Sequence, residues 1–122
     1  MTTREIIDCY LEGWRLGEPE RSLEGCAPGF YYDDPNTGRI VRSDFCNFVE
    51  DFKAYGASLN DGVVPVPFLE YTDVIIDETT SPVSVWCWWR VSNTQFQGSA
   101  LVKADGTGIL SERIAYFSRL PD

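Results

Sequence analysis

The first apolar residues of the chain recur at helical spacing. Ile6, Ile7, Tyr10, Leu11 and Trp14 fall three or four residues apart, on one face of a helix. Thr2 and Glu5 have the spacing of a capping box that opens such a helix, and Gly17 is the residue type that closes one. Pro19 predicts the first turn of a short second helix over residues 19–26. Ala27-Pro28-Gly29 reads as a turn, Phe30-Tyr31-Tyr32-Asp33-Asp34 as a short strand stopped by Pro35, and Asn36-Thr37-Gly38 as a loop. A third helix is expected next. Ser43 stands as its N-cap, Phe45, Phe48, Val49 and Phe52 share a face, and the end falls near Tyr55-Gly56.

After Asn60-Asp61-Gly62 and the prolines at 65 and 67, the period changes to two. Four strands are predicted, at about 68–77, 83–93, 95–104 and 109–119. Asp105-Gly106 is a strong hairpin signal between the last two, and Ser92-Asn93-Thr94 a weaker one before them. Helices first and antiparallel strands after make an α+β order rather than an alternating one. A chain of 122 residues has room for a single domain, 1–122, with one core, and no repeat or linker divides it. A strongly curved sheet wrapped around amphipathic helices forms a cone with one open end.

Composition sharpens this picture in three places. Four Trp, six Tyr and seven Phe are many for the length, and aromatics both fill cores and line small-molecule sites. A formal charge of −9 repels phosphate backbones and anionic lipid, so nucleic acid and membrane are poor partners. No window reaches the roughly 18 apolar residues of a membrane helix. The chain has no histidine, which removes the commonest general base, the Ser–His and Cys–His pairs and most zinc sites. Cys9, Cys26, Cys46 and Cys87 stand far apart with no C-x-x-C pair, and no apolar leader follows Met1. Reduced, mostly core thiols in a cytoplasmic protein are expected, with no metal and no cofactor.

Candidate chemistry therefore rests on carboxylates, phenols and guanidinium groups. Asp34 has the setting of a general base, at the inner end of a short strand among aromatics. As simple a reading makes it the cap of a turn before Pro35. Strand alternation puts Tyr32 on its face. Tyr10 and Trp14 lie one helical turn apart; the Tyr10 phenol suits a ligand carbonyl or a developing oxyanion, or else belongs to a core stripe. Trp86, Trp88 and Arg90 share one face of a central strand, and Val85, Cys87, Trp89 and Val91 the other. With the first set inward, two indoles and a guanidinium suit a flat ligand bearing a carbonyl or negative charge. With the parity reversed, Trp89 lines the pocket and Arg90 is a surface charge. The first arrangement is the one expected, with the second set then packing on a dimer partner.

Tyr10-Leu11, Gly17-Glu18 and Tyr32-Asp33-Asp34-Pro35 together resemble the opening third of the ketosteroid isomerases and SnoaL-like polyketide cyclases, within the NTF2-like (cystatin-like) superfamily. Asp105-Gly106-Thr107-Gly108-Ile109, with Tyr116-Phe117 further on, resembles the superfamily's last hairpin. The resemblance implies a cone of three N-terminal helices on a strongly curved, mainly antiparallel sheet. It implies catalytic roles for Asp34, as proton-abstracting carboxylate, and Tyr10, as oxyanion donor. The family's hairpin register points Arg113 and Phe117 inward, and the implied ligand site comprises Trp14, Tyr32, Phe52, Trp86, Trp88, Arg90, Arg113 and Phe117. Arg113 would then need Asp34 or a ligand carboxylate as partner, unless it pairs with a sheet neighbour such as Glu70 or Asp73. Departures accompany the match. Ala100 replaces the isomerases' second acid, the cyclases' histidine is missing, and Ala115 stands where the related epoxide hydrolases carry their last Asp. Two functions follow. One is cofactor-independent proton transfer next to a carbonyl of an apolar cyclic substrate; the other is binding of a small hydrophobic metabolite without chemistry. The resemblance also implies a homodimer through the outer face of the sheet.

Overall fold

The computed structural model describes residues 1–117. In chain order the elements are α1 (Thr3–Leu16), α2 (Pro19–Glu24), β1 (Cys26–Asp34), β2 (Gly38–Val41), α3 (Phe45–Ser58), β3 (Leu69–Asp77), β4 (Val83–Val91), β5 (Gln97–Asp105) and β6 (Gly108–Phe117). The strands form one six-stranded sheet in the order β2-β1-β6-β5-β4-β3. β1 and β6 run parallel, and every other neighbouring pair is antiparallel. The helices pack on one face of this curved sheet. The last strand, expected to reach Arg119, is described as far as Phe117.

The capping box of α1 is formed. Thr2 Oγ1 accepts from the Glu5 N–H at 3.1 Å, and a Glu5 carboxylate oxygen accepts from the Thr2 N–H at 3.1 Å. Gly17 closes the helix with φ 70°, a left-handed conformation that glycine adopts without a Cβ penalty. Ser22 of α2 donates to the Tyr10 carbonyl at 2.8 Å, which fixes α2 against α1.

Four local expectations change. Ala27-Pro28-Gly29 is no chain reversal; it lies inside β1, where the register with β6 shifts between Cys26 and Tyr31. A bulge is one of the few places a strand accepts proline. Gly38 begins β2 rather than ending a loop, because β1 and β2 form a hairpin that pairs Asp34 with Gly38. Ser43 sits in a short 3-10 turn at Arg42–Asp44, and α3 starts after Asp44 without a side-chain cap. Gly56 does not stop α3. A Cβ there would lie 3.0 Å from Phe68 and 3.1 Å from Val91, so this glycine allows close approach rather than termination.

Two strand parities decide what faces the helices. On β4, Val85, Cys87, Trp89 and Val91 are buried, while Trp86 and Trp88 are exposed. This reverses the expected arrangement. On the outer face the Arg90 guanidinium keeps contact with water and meets Glu70 at 3.3 Å, which spares it the cost of burying a charge. Gly98 on the neighbouring strand makes room for the inward Trp89; a Cβ there would lie 2.7 Å from its ring and 2.0 Å from the Ala115 carbonyl oxygen.

On β6, strict alternation from the buried Ile109 would send Arg113, Ala115 and Phe117 inward. A bulge intervenes. Lys103 pairs with Ser111 but Ala104 pairs with Ile109, so Leu110 is an extra residue and the faces exchange beyond it. Glu112 and Ile114 are buried and Tyr116 is half-buried, while Arg113 and Phe117 face outward.

Candidate functional site

The inward alternation of β1 and the exchanged face of β6 bring Asp34 and Tyr116 together. They form the polar corner of a cleft of about 660 Å³ between α3, the β1–β2 turn, the start of β5 and the end of β6. That is the size of a small-molecule site. α3 supplies Phe48, Phe52 and Tyr55, with Asp51 at the rim, Asn36 and Thr37 come from the turn, and Phe96 precedes β5. The rings are mutually ordered. Phe96 stacks on Tyr116 with centroids 5.3 Å apart and planes 18° from parallel, Tyr55 meets it edge-on at 5.0 Å, and Phe52 lies 5.3 Å away. Offset stacking and edge contacts are the arrangements aromatic quadrupoles favour.

Asp34 is 4 % exposed. One of its oxygens accepts from the Asn36 and Thr37 N–H groups at 2.7 and 3.1 Å; the other accepts from the Tyr116 hydroxyl. The turn-capping reading of Asp34 and its place in a pocket wall therefore hold at once. Burial, and then the bond to Asp34, push the Tyr116 phenol well above its ordinary range, so it remains a donor at any ordinary pH. A second surface groove of about 580 Å³ runs beside β1 and β2, lined by Pro28, Phe30, Arg39 and Arg42 among others. Its guanidinium groups, Arg39 and Arg42, are exposed, so it lacks the desolvated chemistry of the Asp34 corner.

Tyr10 does not reach the cleft. It is fully buried and donates to the carboxylate of Glu112, itself 3 % exposed. Burial pushes Glu112 up to about 7, against the opposing pull of the Tyr10 donor. Beside this pair lies a void of about 10 Å³, lined by Trp14, Tyr32, Phe52, Leu69, Tyr71, Trp89 and Glu112. It has room for one water at most. The indole N–H groups of Trp14 and Trp89 are buried there without a formed hydrogen bond. Phe52 forms part of the wall of both spaces.

Of the predicted ligand residues, Phe52 lines the cleft, while Trp14 and Tyr32 line the inner void. Trp86, Trp88, Arg90, Arg113 and Phe117 do not contribute to either. Trp86 and Trp88 are 53 % and 47 % exposed, and Trp88 packs on Phe117 outside the sheet at 5.9 Å. Arg113 sits opposite Asp33, not Asp34, in the parallel β1–β6 pair, and Asp33 is bound through both oxygens by Arg39 at 2.9 and 3.1 Å. The physical reasons are the two parities described above. Sequence reasoning missed Glu112, Tyr116, Phe96, Asp51 and Tyr55 as site residues. For Tyr116 and Glu112 no signal was available, since a one-residue bulge leaves no mark in the pattern. Asp51 and Tyr55 were legible only as a helix face continuing Phe48 and Phe52. The four cysteines are free thiols, with burial pushing Cys26 up to about 12 and Cys87 further, so neither is a nucleophile at neutral pH. Among the described residues no helix is long and apolar enough to cross a membrane.

No family model matches the sequence, and no curated protein does. Solved structures do match. An NTF2-like protein of unknown function from Cytophaga hutchinsonii superposes with a TM-score of 0.61 at 13 % identity, covering 96 % of this chain and 91 % of the other. A provisionally assigned ketosteroid isomerase from Kribbella flavida gives 0.67 at 16 %, covering 98 % and 81 %. A SnoaL-like protein of unknown function from Burkholderia thailandensis gives 0.66 at 10 %, covering 95 % of each chain. Similarity at this level of identity speaks for architecture, and what it speaks for agrees with the element order and the mixed, curved sheet. In its fold, the chain is similar to the NTF2-like proteins.

Proposed function

We propose that the protein binds one small, ring-bearing, largely apolar molecule in the cleft between α3 and β6. The observation that carries this reading is a cleft of about 660 Å³ whose walls are ordered aromatic rings and whose one buried polar corner is the Asp34–Tyr116 pair. Rings already packed against one another lose little freedom when a flat ligand joins them, so the site is preorganised. The test is titration with the neutral fluorescent probe N-phenyl-1-naphthylamine. Binding in the micromolar range is expected, about tenfold weaker in Phe96→Ala and unchanged in Trp86→Ala. Equal loss in both variants would place the probe elsewhere and end the proposal.

A second reading, proton transfer next to a carbonyl, is supported by the pairing of a carboxylate with a phenol on one cleft wall. The Kribbella neighbour's isomerase assignment belongs to the same class of chemistry. Asp34 would accept the α-proton through the oxygen that Tyr116 now occupies, and the freed Tyr116 hydroxyl would donate to the enolate oxygen. Tyr116, rather than Tyr10, would hold the oxyanion, because the Tyr10 hydroxyl is already given to Glu112. Exchange of the α-protons of cyclohexanone with D2O, followed by NMR, tests it. Acceleration by the wild type that falls at least about a hundredfold in Asp34→Asn is the expected result; no acceleration by the wild type sinks the catalytic reading and leaves the binding one standing. A second copy of the chain on the outer face of the sheet is part of the proposal, supported by the exposed Trp86, Trp88 and Phe117.

A further inference from the structure

Resting on the binding reading above, we infer that the ligand carries a cationic nitrogen: the cleft is built for an aromatic or alicyclic amine or quaternary ammonium. Among the described residues its lining holds two carboxylates, Asp34 and Asp51, and no lysine or arginine. The ion pairs among the described residues join Arg4 to Glu78, Arg15 to Glu12, Arg39 to Asp33, Lys53 to Glu50 and Arg90 to Glu70, so none neutralises either acid. Among the described residues Asp34 receives only backbone N–H groups and the Tyr116 hydroxyl, and no cation.

The second observation is independent of charge. Phe48, Phe52, Tyr55, Phe96 and Tyr116 present ring surface to the same space. Aromatic faces carry negative potential and attract a cation, most of all one whose charge is spread over methyl or methylene groups that also prefer an apolar wall. The same site opposes a carboxylate or phosphate ligand, which would face two acids and ring faces with no donor cation to meet it. A neutral hydrocarbon would gain the ring contacts but leave Asp51 to water. The fold as a whole adds in the same direction, since a chain of formal charge −9 raises the local concentration of cations.

The experiment compares benzyltrimethylammonium with its uncharged isostere neopentylbenzene, by NMR titration of the Phe48, Phe96 and Tyr116 amide signals. The cation is expected to bind at least about tenfold more tightly, a gap that narrows as salt is raised. Asp51→Asn, a rim substitution on an exposed position, should weaken the cation several-fold and leave the isostere unchanged, while the remote Glu20→Gln changes neither. Equal affinity for cation and isostere in the wild type overturns the inference but keeps the cleft as an apolar site. Equal weakening of the cation by Asp51→Asn and Glu20→Gln also overturns it, because attraction would then be diffuse. If neither molecule shifts the cleft signals, the inference and the binding reading on which it rests both fail.

Discussion

Glu112 is the residue with the most unusual setting. Its carboxyl is buried with one phenol as hydrogen-bond donor and no cation, and it titrates near 7 instead of the ordinary 4.5. The sign of its effect on stability is the reverse of a salt-bridged acid. The folded chain binds this proton more tightly than the unfolded chain, so the contribution is fully present below about pH 4.5 and is lost as pH rises through about 7. The shift corresponds to on the order of 3 kcal/mol. Denaturant unfolding of the wild type and of Glu112→Gln should therefore give curves that separate with pH, the wild type losing about that much relative to the variant between pH 4.5 and 8. A difference that stays constant over this range would show that Glu112 does not ionise in the folded chain. Exposed acids held down by local donors, such as Asp77 and Asp105 beside Thr79 and Thr107, act at lower pH and are common to both proteins.

Among the elements, the α1–α2 pair fixes where Tyr10 points. Gly13 of α1 faces Ser22 so closely that an added Cβ would lie 2.1 Å from Ser22 Oγ and 2.5 Å from its backbone nitrogen. Gly13→Ala gains helix propensity of about 1 kcal/mol, yet it must push α2 away and break the Ser22–Tyr10 hydrogen bond. A net loss of about 2 kcal/mol or more is expected in urea unfolding; a neutral or stabilised variant would show that α2 sits loosely on α1. The Leu110 bulge, beside the Gly25–Cys26 backbone that follows α2, acts on an element in a different way. It costs one unpaired residue and decides which half of β6 meets the core. Without it Arg113 and Phe117 would face inward in place of Glu112 and Tyr116.

Over the whole molecule, the outer face of the sheet divides in two. Arg39, Lys103 and Arg113 gather with Asp33 around β1 and β6. Trp86, Trp88 and Phe117, joined by Ile75 across the β3–β4 pair, make an exposed apolar strip. An apolar strip on an otherwise acidic chain is where a second copy would bury surface at least electrostatic cost. Sedimentation at micromolar concentration should show a dimer that Trp86→Asp converts to monomer with the cleft's ligand affinity unchanged. A monomeric wild type would exclude the strip as a self-association surface at that concentration.

The sequence by itself determined the three helices, five of the six strands and their order. The Thr2–Glu5 capping box, the helical spacing from Ile6 to Trp14 and the Asp105-Gly106 turn act within a few residues, and each is present in the fold. It also placed Asp34 beside a turn and identified an aromatic-rich α+β chain, since those readings need only local chemistry. Which face of β4 and β6 turned inward was decided by tertiary structure alone. Both faces of β4 carry apolar residues, so alternation could not choose between them; the choice fell to Glu70 across the sheet and to the space Gly98 leaves for Trp89. On β6 a single extra residue exchanged the faces, and its position depends on pairing with β5. Tyr116 and Glu112 became site residues by that exchange, because period-two geometry carries any one-residue shift through the rest of the strand.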